Sequence, residues 1–261
     1  MAKWFEEGNL FELEGLQKIV VLDCETTGLS KDTDEILQIS LVDGNGETLL
    51  NTYVKPQHTV SWDDAQAIHG ITPDMVSDAP DFSSIKKQVE TLIRGADLLI
   101  GYNLSFDLGF VRAQGISVRR DTKKFDVMKE YAPVHGVWMD WKHDWKWAKL
   151  EECAAHYGHM FQAHNSLEDA KVTLKCFYSM LSDKQPGGYL ELCKRSRGNM
   201  SQSASFNNER SKKPGKAFWA LLTIGIILIL SSSSQNNTTT GLIGALLVGI
   251  AIAIRKSEKR N

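Results

Sequence analysis

Asp23 and Glu25, then Asp107, then Asp169 with His164 five residues before it, are the residues whose types and spacing can do chemistry. Each sits in a distinct local frame: VLDCETTG from Val21 to Gly28, GYNLSFD from Gly101 to Asp107, and HNSLEDA from His164 to Ala170. Carboxylates spread along the chain but framed in this way suggest one site gathered by folding. Four carboxylates converging on a point repel one another unless cations neutralise them. Hard divalent cations with oxygen ligands meet that need, and two of them close together suit phosphodiester cleavage. An imidazole beside them can take a proton from water near neutral pH.

The elements that must position these groups follow from apolar pattern and turn residues. Lys18 to Cys24 is a β-branched run, read as a buried strand ending at the first acidic pair. Side chains alternate along a strand, so Asp23 and Glu25 share a face and Cys24 points away. Glu35 to Asp43 and Thr48 to Val54 flank DGNGE, a hairpin signal, and Pro56 stops the sheet. Ser61 to Ile68 reads as a helix with Ser61 as N-cap and Asp63 and Asp64 in its first turn, followed by a loop from His69 to Met75. Phe82 to Arg94 has helical period, and Ala96 to Gly101 is the next strand, lying beside the first. Ser105 to Gln114 is a helix with Asp107 near its start and Asn103 in the preceding turn as an Asx cap. Lys124 to Met128 reads as a short strand. Trp145 to Tyr157 and Ser166 to Leu181 read as two closing helices, with Asp169 in the first turns of the last and His164 off its end. This order is α/β.

Taken singly, each motif has a bland reading. D-x-E can be a solvated strand edge, an aspartate near a helix start is favoured by the dipole in any case, and a lone histidine is usually surface or packing. D-x-E followed by T-T-G is more specific. Gly28 permits a sharp turn and a close backbone approach, and Thr26 and Thr27 supply hydroxyl and amide donors. In order and spacing, the three segments together resemble the three exonuclease motifs of the DEDDh 3′–5′ exonucleases, the proofreading-subunit-like enzymes of the ribonuclease H-like superfamily. The loop AIHGIT, Ala67 to Thr72, is similar to the segment that follows the hairpin in that family. The resemblance covers residues 17–182.

The resemblance implies a mixed five-stranded sheet flanked by helices. It implies two Mg²⁺ or Mn²⁺ ions held by Asp23, Glu25, Asp107 and Asp169, with His164 as general base. The substrate it implies is the 3′ end of single-stranded nucleic acid, DNA favoured, cleaved to nucleoside 5′-monophosphates. Thr26, Thr27, Gly28, His69 and Asn103 are the expected contacts to the terminal nucleotide. Cys24 stands where threonine is more usual and should face away from the ions; Ser166 stands where a small alanine is usual and should fit. Two alternatives remain beside this reading: an RNA-trimming exoribonuclease, and a catalytically idle nucleic-acid-binding module held at a membrane.

The bulk numbers narrow the setting. The chain has 261 residues, room for one ordinary domain plus an appendage. A net charge of −2 provides no global basic field, so phosphate contacts must be local. The four cysteines show no CxxC pair, which reads as reduced thiols in a cytosolic protein. The first fifteen residues lack the continuous apolar core of a secretory signal. In VWMDWKHDWKWAK, Val137 to Lys149, four tryptophans interleave with three lysines. Stacking on unpaired bases and core packing of a loop are both open there.

Composition divides the chain into an amphipathic lead-in helix at 1–16, an exonuclease domain at 17–185, a polar basic linker at 186–216, a hydrophobic helical hairpin at 217–254 and a basic tail at 255–261. Ala217 to Leu230 and Gly241 to Ile254 are each 14 residues without a charge. Fourteen helical residues span about 21 Å against a hydrocarbon core of about 30 Å. Extension into the neutral Ser231–Ser234 and Thr238–Thr240 runs brings each to about 17–18 residues, the low end for spanning. Lys212, Lys213 and Lys216 precede the first segment, Arg255, Lys256, Lys259 and Arg260 follow the second, and the connector is uncharged. Positive ends with a neutral turn predict a transmembrane hairpin with both termini cytoplasmic, which would anchor the chain to the cytoplasmic face of the inner or plasma membrane. Gly241, Ala245, Gly249 and Ala253 form a small-residue stripe for a neighbouring helix. The alternative is two buried helices of a soluble oligomer.

Overall fold

A computed structural model describes residues 18–194. The expected lead-in helix at 1–16, most of the linker, the hairpin at 217–254 and the basic tail lie outside the described residues. Within them, no helix is long and apolar enough to cross a membrane.

The run IVVLDCET forms strand β1, Ile19–Thr26. It pairs antiparallel with β2, Ile36–Asp43, which pairs antiparallel with β3, Thr48–Tyr53. The turn between them is closed by Gly46 at φ 86°, a left-handed conformation that suits glycine, and by the Asp43 carboxylate, which accepts the amides of Asn45 and Glu47. On its other edge β1 pairs in parallel with β4, Leu98–Gly101, and β4 with β5, Lys123–Asp126. The order is β3-β2-β1-β4-β5, a mixed five-stranded sheet.

Between β3 and β4 come α1, Asp63–His69, α2, Pro73–Val76, and α3, Phe82–Gly95. After β4 follow α4, Leu104–Ala113, and, beyond β5, α5, Val127–His135. A two-stranded ribbon, β6 Trp138–Met139 and β7 Asp144–Trp145, precedes α6, Leu150–His156, and α7, Ser166–Ser182.

Apolar alternation along β1 separates the two cores. Val21 faces a cluster with Phe125, Tyr131, Cys153, Ala170, Cys176 and Phe177, contributed by β5 and α5 to α7. Val20, Leu22 and Cys24 face the opposite cluster with Val89, Ile93, Leu99, Leu104, Leu108 and Val111, contributed by β4, α3 and α4. Asp23 and Glu25 therefore stand on the α7 face.

Several local expectations shift. The helix after β3 begins at Asp63, two residues past the expected cap Ser61, and its N-cap is Trp62, which gives no side-chain cap. Trp62 is instead buried and donates its indole N–H to the Ile71 carbonyl at 2.7 Å. The segment read as a loop from His69 to Met75 contains the end of α1 and most of α2, whose Thr72 N-cap hydroxyl accepts the Met75 amide. Trp145 to Lys149 are not helical: Trp145 is taken by the ribbon, and the helix starts at Leu150. Helix α5 was not expected; Pro133 sits inside it, and Gly136 at φ 76° ends it. The packed body also runs past 185, because Tyr189 and Cys193 belong to the first core cluster and Tyr189 donates its hydroxyl to buried Glu130 at 2.8 Å.

Leu99 is completely buried at the centre of β4. Leu99→Ala removes its contacts and leaves a cavity, at a cost of about 2–5 kcal/mol. The expected outcome is a lower urea midpoint at unchanged slope.

Candidate active site

Strand β1 projects beyond its parallel neighbour. Its register with β4 runs only from Ile19 to Val21, so the segment from Leu22 to Thr26 has no partner strand on that side. The Cys24 amide there is taken by the Asp107 carboxylate, whose Oδ1 accepts it at 3.0 Å. A side chain from α4, in the opposite layer, is thereby held at the end of β1 between Asp23 and Glu25. A register shift against β2 falls between Glu25 and Thr26, at the carboxyl end of the strand where such bulges often re-aim side chains.

Asp107 reaches this place because the chain turns sharply after β4. A Cβ on Gly101 would lie 2.9–3.1 Å from Leu104, including 3.1 Å from its Cα, so the turn would have to shift to admit one. Asn103 follows in the left-handed region at φ 63° and precedes α4. Its side chain does not cap the helix; it accepts the Ser105 hydroxyl at 3.2 Å, while its amide is held by Asp126 at the end of β5 at 3.0 Å.

Asp169 comes from the first turn of α7. Asn165 caps that helix, accepting the amides of Leu167 and Glu168. The Ser166 hydroxyl meets the Ser40 hydroxyl at 2.6 Å, and its amide donates to Gln38 Oε1 at 3.4 Å. Ser40 and Gln38 are the register partners of Asp23 and Glu25 on β2. This buried polar contact seats the start of α7 directly beside the acidic pair. Ser166 does more than fit.

The buried carboxylates Asp107 and Asp169 share one peculiarity. Each has one oxygen bound by a backbone amide and the other buried without a hydrogen-bond partner. Asp107 Oδ1 takes the Cys24 amide and Asp169 Oδ2 takes the His164 amide at 3.1 Å, while Asp107 Oδ2 and Asp169 Oδ1 have none. An orphaned buried carboxylate oxygen costs free energy unless something binds it. The charges also feel one another. Asp23 is pushed well above the ordinary carboxylate range by burial, then by Asp107, Asp169 and Glu25. Glu25 is pushed up to about 8 by burial and by Asp169. Burial raises Asp107, against the lowering effect of the Cys24 amide. Burial lifts Asp169 to about 7, against the His164 amide. A donor atom each from Glu25, His164 and Asp169 lies within 4.8 Å of the other two. Oxygen-rich, mutually repelling and partly orphaned, this donor set fits hard divalent cations.

His164 sits in the left-handed region at φ 70°, just outside α7, with its side chain 47% exposed. Its Nε2 lies 4.0 Å from Glu151 Oε1 on α6. Sequence reasoning missed Glu151, since nothing local marks an exposed glutamate whose role depends on packing of α6 against α7.

The expected nucleotide contacts are largely spoken for within the chain. The Thr26 hydroxyl donates to the Gly28 carbonyl at 2.6 Å, and the Thr27 amide donates to the Glu35 carbonyl at 2.8 Å. The Thr27 hydroxyl accepts the Glu35 amide, which leaves its proton for another acceptor. A Cβ on Gly28 would strike the Asp34 carboxylate at 2.6–2.8 Å, so the missing side chain serves an internal approach. The His69 ring accepts the Ile71 amide at Nδ1 and meets the Thr26 carbonyl at Nε2, 3.2 Å away. That pairing makes Nε2 the protonated nitrogen, and burial holds the ring's pKa below the usual histidine value. The T-T-G turn is thus a braced loop with His69 as its brace.

A family model described as Exonuclease matches residues 20–177. Exonuclease CP81 of Escherichia phage 186 is 33% identical over 183 residues, which cover 66% of this chain and 87% of that protein. The DNA polymerase III subunit epsilon of Buchnera aphidicola is 34% identical over 111 residues, 39% of this chain and 47% of the subunit. Among solved structures, Escherichia coli exonuclease I in complex with a dA16 oligonucleotide superposes with a TM-score of 0.54 at 17% identity, over 69% of this chain and 42% of that one. At that identity the likeness concerns the fold, and the chain spans less than half of both exonuclease I and the epsilon subunit.

The acids carry a pH signature. Folding raises Glu25 and Asp169 from about 4 towards 8 and 7, so the folded cation-free protein holds extra protons in that window. Their contribution to stability is present below about pH 4 and is lost as pH rises through the folded values. Cation-free protein is expected to melt lower at pH 8 than at pH 5.5, and Mn²⁺ to raise the melting temperature at pH 8. Asp107→Asn should raise the cation-free melting temperature at pH 8 and blunt the Mn²⁺ response. Scanning calorimetry that finds neither pH nor Mn²⁺ dependence would rule out the crowded carboxylate site.

Proposed function

The chain belongs to the exonuclease family, and on that footing we propose that it removes nucleotides one at a time from the 3′ end of single-stranded nucleic acid, DNA by preference, releasing nucleoside 5′-monophosphates. The observation that carries this reading is the pair of buried, unpartnered oxygens on Asp107 and Asp169, facing a site shared with Asp23 and Glu25. The names of the phage exonuclease and of exonuclease I, the latter solved in complex with a dA16 oligonucleotide, support exonucleolytic attack on single-stranded DNA.

Asp23, Glu25, Asp107 and Asp169 would hold the two divalent cations, Mg²⁺ or Mn²⁺. When bound, those cations neutralise the phosphodiester and activate a water for in-line attack. The chain's own groups do the rest. Asp107 Oδ2 and Asp169 Oδ1 would gain the partners that the protein withholds from them. His164, exposed at the rim, accepts the proton of the attacking water. Glu151, 4.0 Å away, then offers the imidazolium a counter-charge. The T-T-G turn, pinned by Glu35 and His69, offers the terminal nucleotide a surface that need not reorganise. Its few free donors carry no code for a base, which suits low sequence preference.

We infer membrane attachment separately, from the two uncharged 14-residue segments and their basic flanks alone.

Mononucleotides are expected from a 5′-labelled single strand with Mn²⁺, shortening from the 3′ end, with no product in EDTA. Asp23→Ala should abolish release, and His164→Ala should lower kcat by about 10²–10⁴-fold. Internal cuts, or shortening from the 5′ end, would sink the reading. Matched DNA and RNA strands in one assay decide the sugar preference. Cells expressing the full chain or a chain ending at residue 216 test the anchor: the full chain should pellet with membranes and the shorter one should not.

A further inference from the structure

The tryptophan-rich segment is unused by the chemistry above, yet it is an ordered feature. Trp138 and Met139 pair with Trp145 and Asp144, and the Lys146 amide donates to the Val137 carbonyl at 2.7 Å. The reversal between the strands is closed by the Lys142 amide on the Met139 carbonyl at 3.1 Å, with His143 at φ 50°.

Packing does not explain these rings. None of the hydrophobic clusters among the described residues includes Trp138, Trp141, Trp145 or Trp147, although Ala148 and Leu150 just beyond them do belong to one. Trp138 is 44% exposed, Trp147 51% and Trp141 76%. Trp145 is half-buried and stands edge-on to Trp138 with ring centres 5.1 Å apart, so one indole props another outside the core. Leaving several large aromatic faces in water is unfavourable unless something covers them.

The cations select the covering. Lys142, Lys146 and Lys149 are exposed in the same segment, and the Lys142 ammonium lies 4.8 Å from the centre of the Trp141 ring. Flat rings interleaved with ammonium groups match a chain of bases joined by phosphates. Set against Asp140 and Asp144, the three lysines leave the segment one net positive charge. The ribbon is also continuous with the active site. The Ala148 carbonyl at its foot accepts the hydroxyl of Tyr102, at the end of β4 just before Asn103, at 2.9 Å. The helix that follows carries Glu151, next to His164.

We propose that the ribbon from Trp138 to Trp147 is a stacking platform for the unpaired bases of the substrate strand on the 5′ side of the scissile nucleotide, with Lys142 and Lys146 on its phosphates. This rests on the exonuclease reading and supplies what the braced T-T-G turn lacks, a grip on the strand beyond its last residue. Duplex DNA hides its base faces and does not suit such a platform.

Two readouts on the full-length protein separate the platform from the chemistry. One substrate is the p-nitrophenyl ester of thymidine 5′-monophosphate, too short to reach the ribbon; the other is an oligothymidylate of about a dozen residues. The Trp141→Ala/Trp147→Ala variant should cleave the ester with the kcat/KM of the parent protein, with an unchanged melting temperature. Its KM for the oligothymidylate should rise about tenfold or more, the scale set by losing base–aromatic stacks. Phenylalanine at both positions should restore most of the loss. Binding of the labelled oligomer in Ca²⁺, followed by anisotropy, should weaken about tenfold and requires no cleavage. An unchanged KM and unchanged Ca²⁺ binding overturn the platform, as does equal weakening towards a blunt duplex. If the parent protein cleaves neither substrate, the exonuclease reading fails, and the Ca²⁺ binding result still decides the platform.

Discussion

The structure turns on one unfavourable arrangement: acidic side chains from three distant segments pressed together at the end of a strand. Folding does not soften this crowding; it uses strong donors to enforce it. The Cys24 amide holds one oxygen of Asp107, and the His164 amide holds one oxygen of Asp169. Each remaining oxygen is left turned into the protein without a partner. Such a cluster is poorly tolerated as bare charge and well suited to charge-rich ligands. The cation requirement and the elevated proton affinity of the site are two expressions of the same fact.

The scaffold makes the crowding possible by giving each carboxylate rigid support from a different element. Asp23 and Glu25 ride on a central strand, Asp107 on a helix from one layer and Asp169 on a helix from the other. The Ser40–Ser166 contact and the Gln38 side chain lock that second helix to the strand next to β1. Glu35 extends the bracing outward, its carboxylate accepting the amides of Gln57, His58 and Thr59 at 2.7–2.9 Å. Those bonds, set against its partial burial, hold its pKa below the usual value. Around the acid cluster, Ser40, Gln38, Ser166 and Glu35 are paired. Two of the exceptions, Asp107 Oδ2 and Asp169 Oδ1, fall within the cluster itself.

Much of this was legible in linear order. Period-two alternation placed Asp23 and Glu25 together and sent Cys24 to the other face, as the two core clusters bear out. The D-G-N-G turn between apolar runs gave the hairpin, and helical period gave α3, α4 and α7 within a residue or two. The failures have physical causes. Ser61 looks like a cap, but Trp62 needed burial and its indole needed a carbonyl, so the helix began later. Trp145 to Lys149 have helical composition, but Trp145 finds a cross-strand partner in Trp138. Helix α5 follows β5 without a break, and Pro133 inside it hides the pattern. In the first two cases a contact nine or seven residues along the chain outweighed a local preference.

Sequence by itself nominated the residues proposed to carry the chemistry, because acid type, glycine and strand alternation are local properties that survive without coordinates. It also determined the class of chemistry, since four carboxylates and an imidazole admit few others. Only tertiary structure decided how those groups are held: that Asp107 spends one oxygen on a strand amide, that Ser166 ties a helix to β2, that His69 braces a turn, and that Glu151 meets His164. It alone turned the tryptophan run outward. These are relations between segments separated by as many as 128 residues, and a hydrogen bond or an exposed ring depends on where two segments meet in space, which no local pattern encodes.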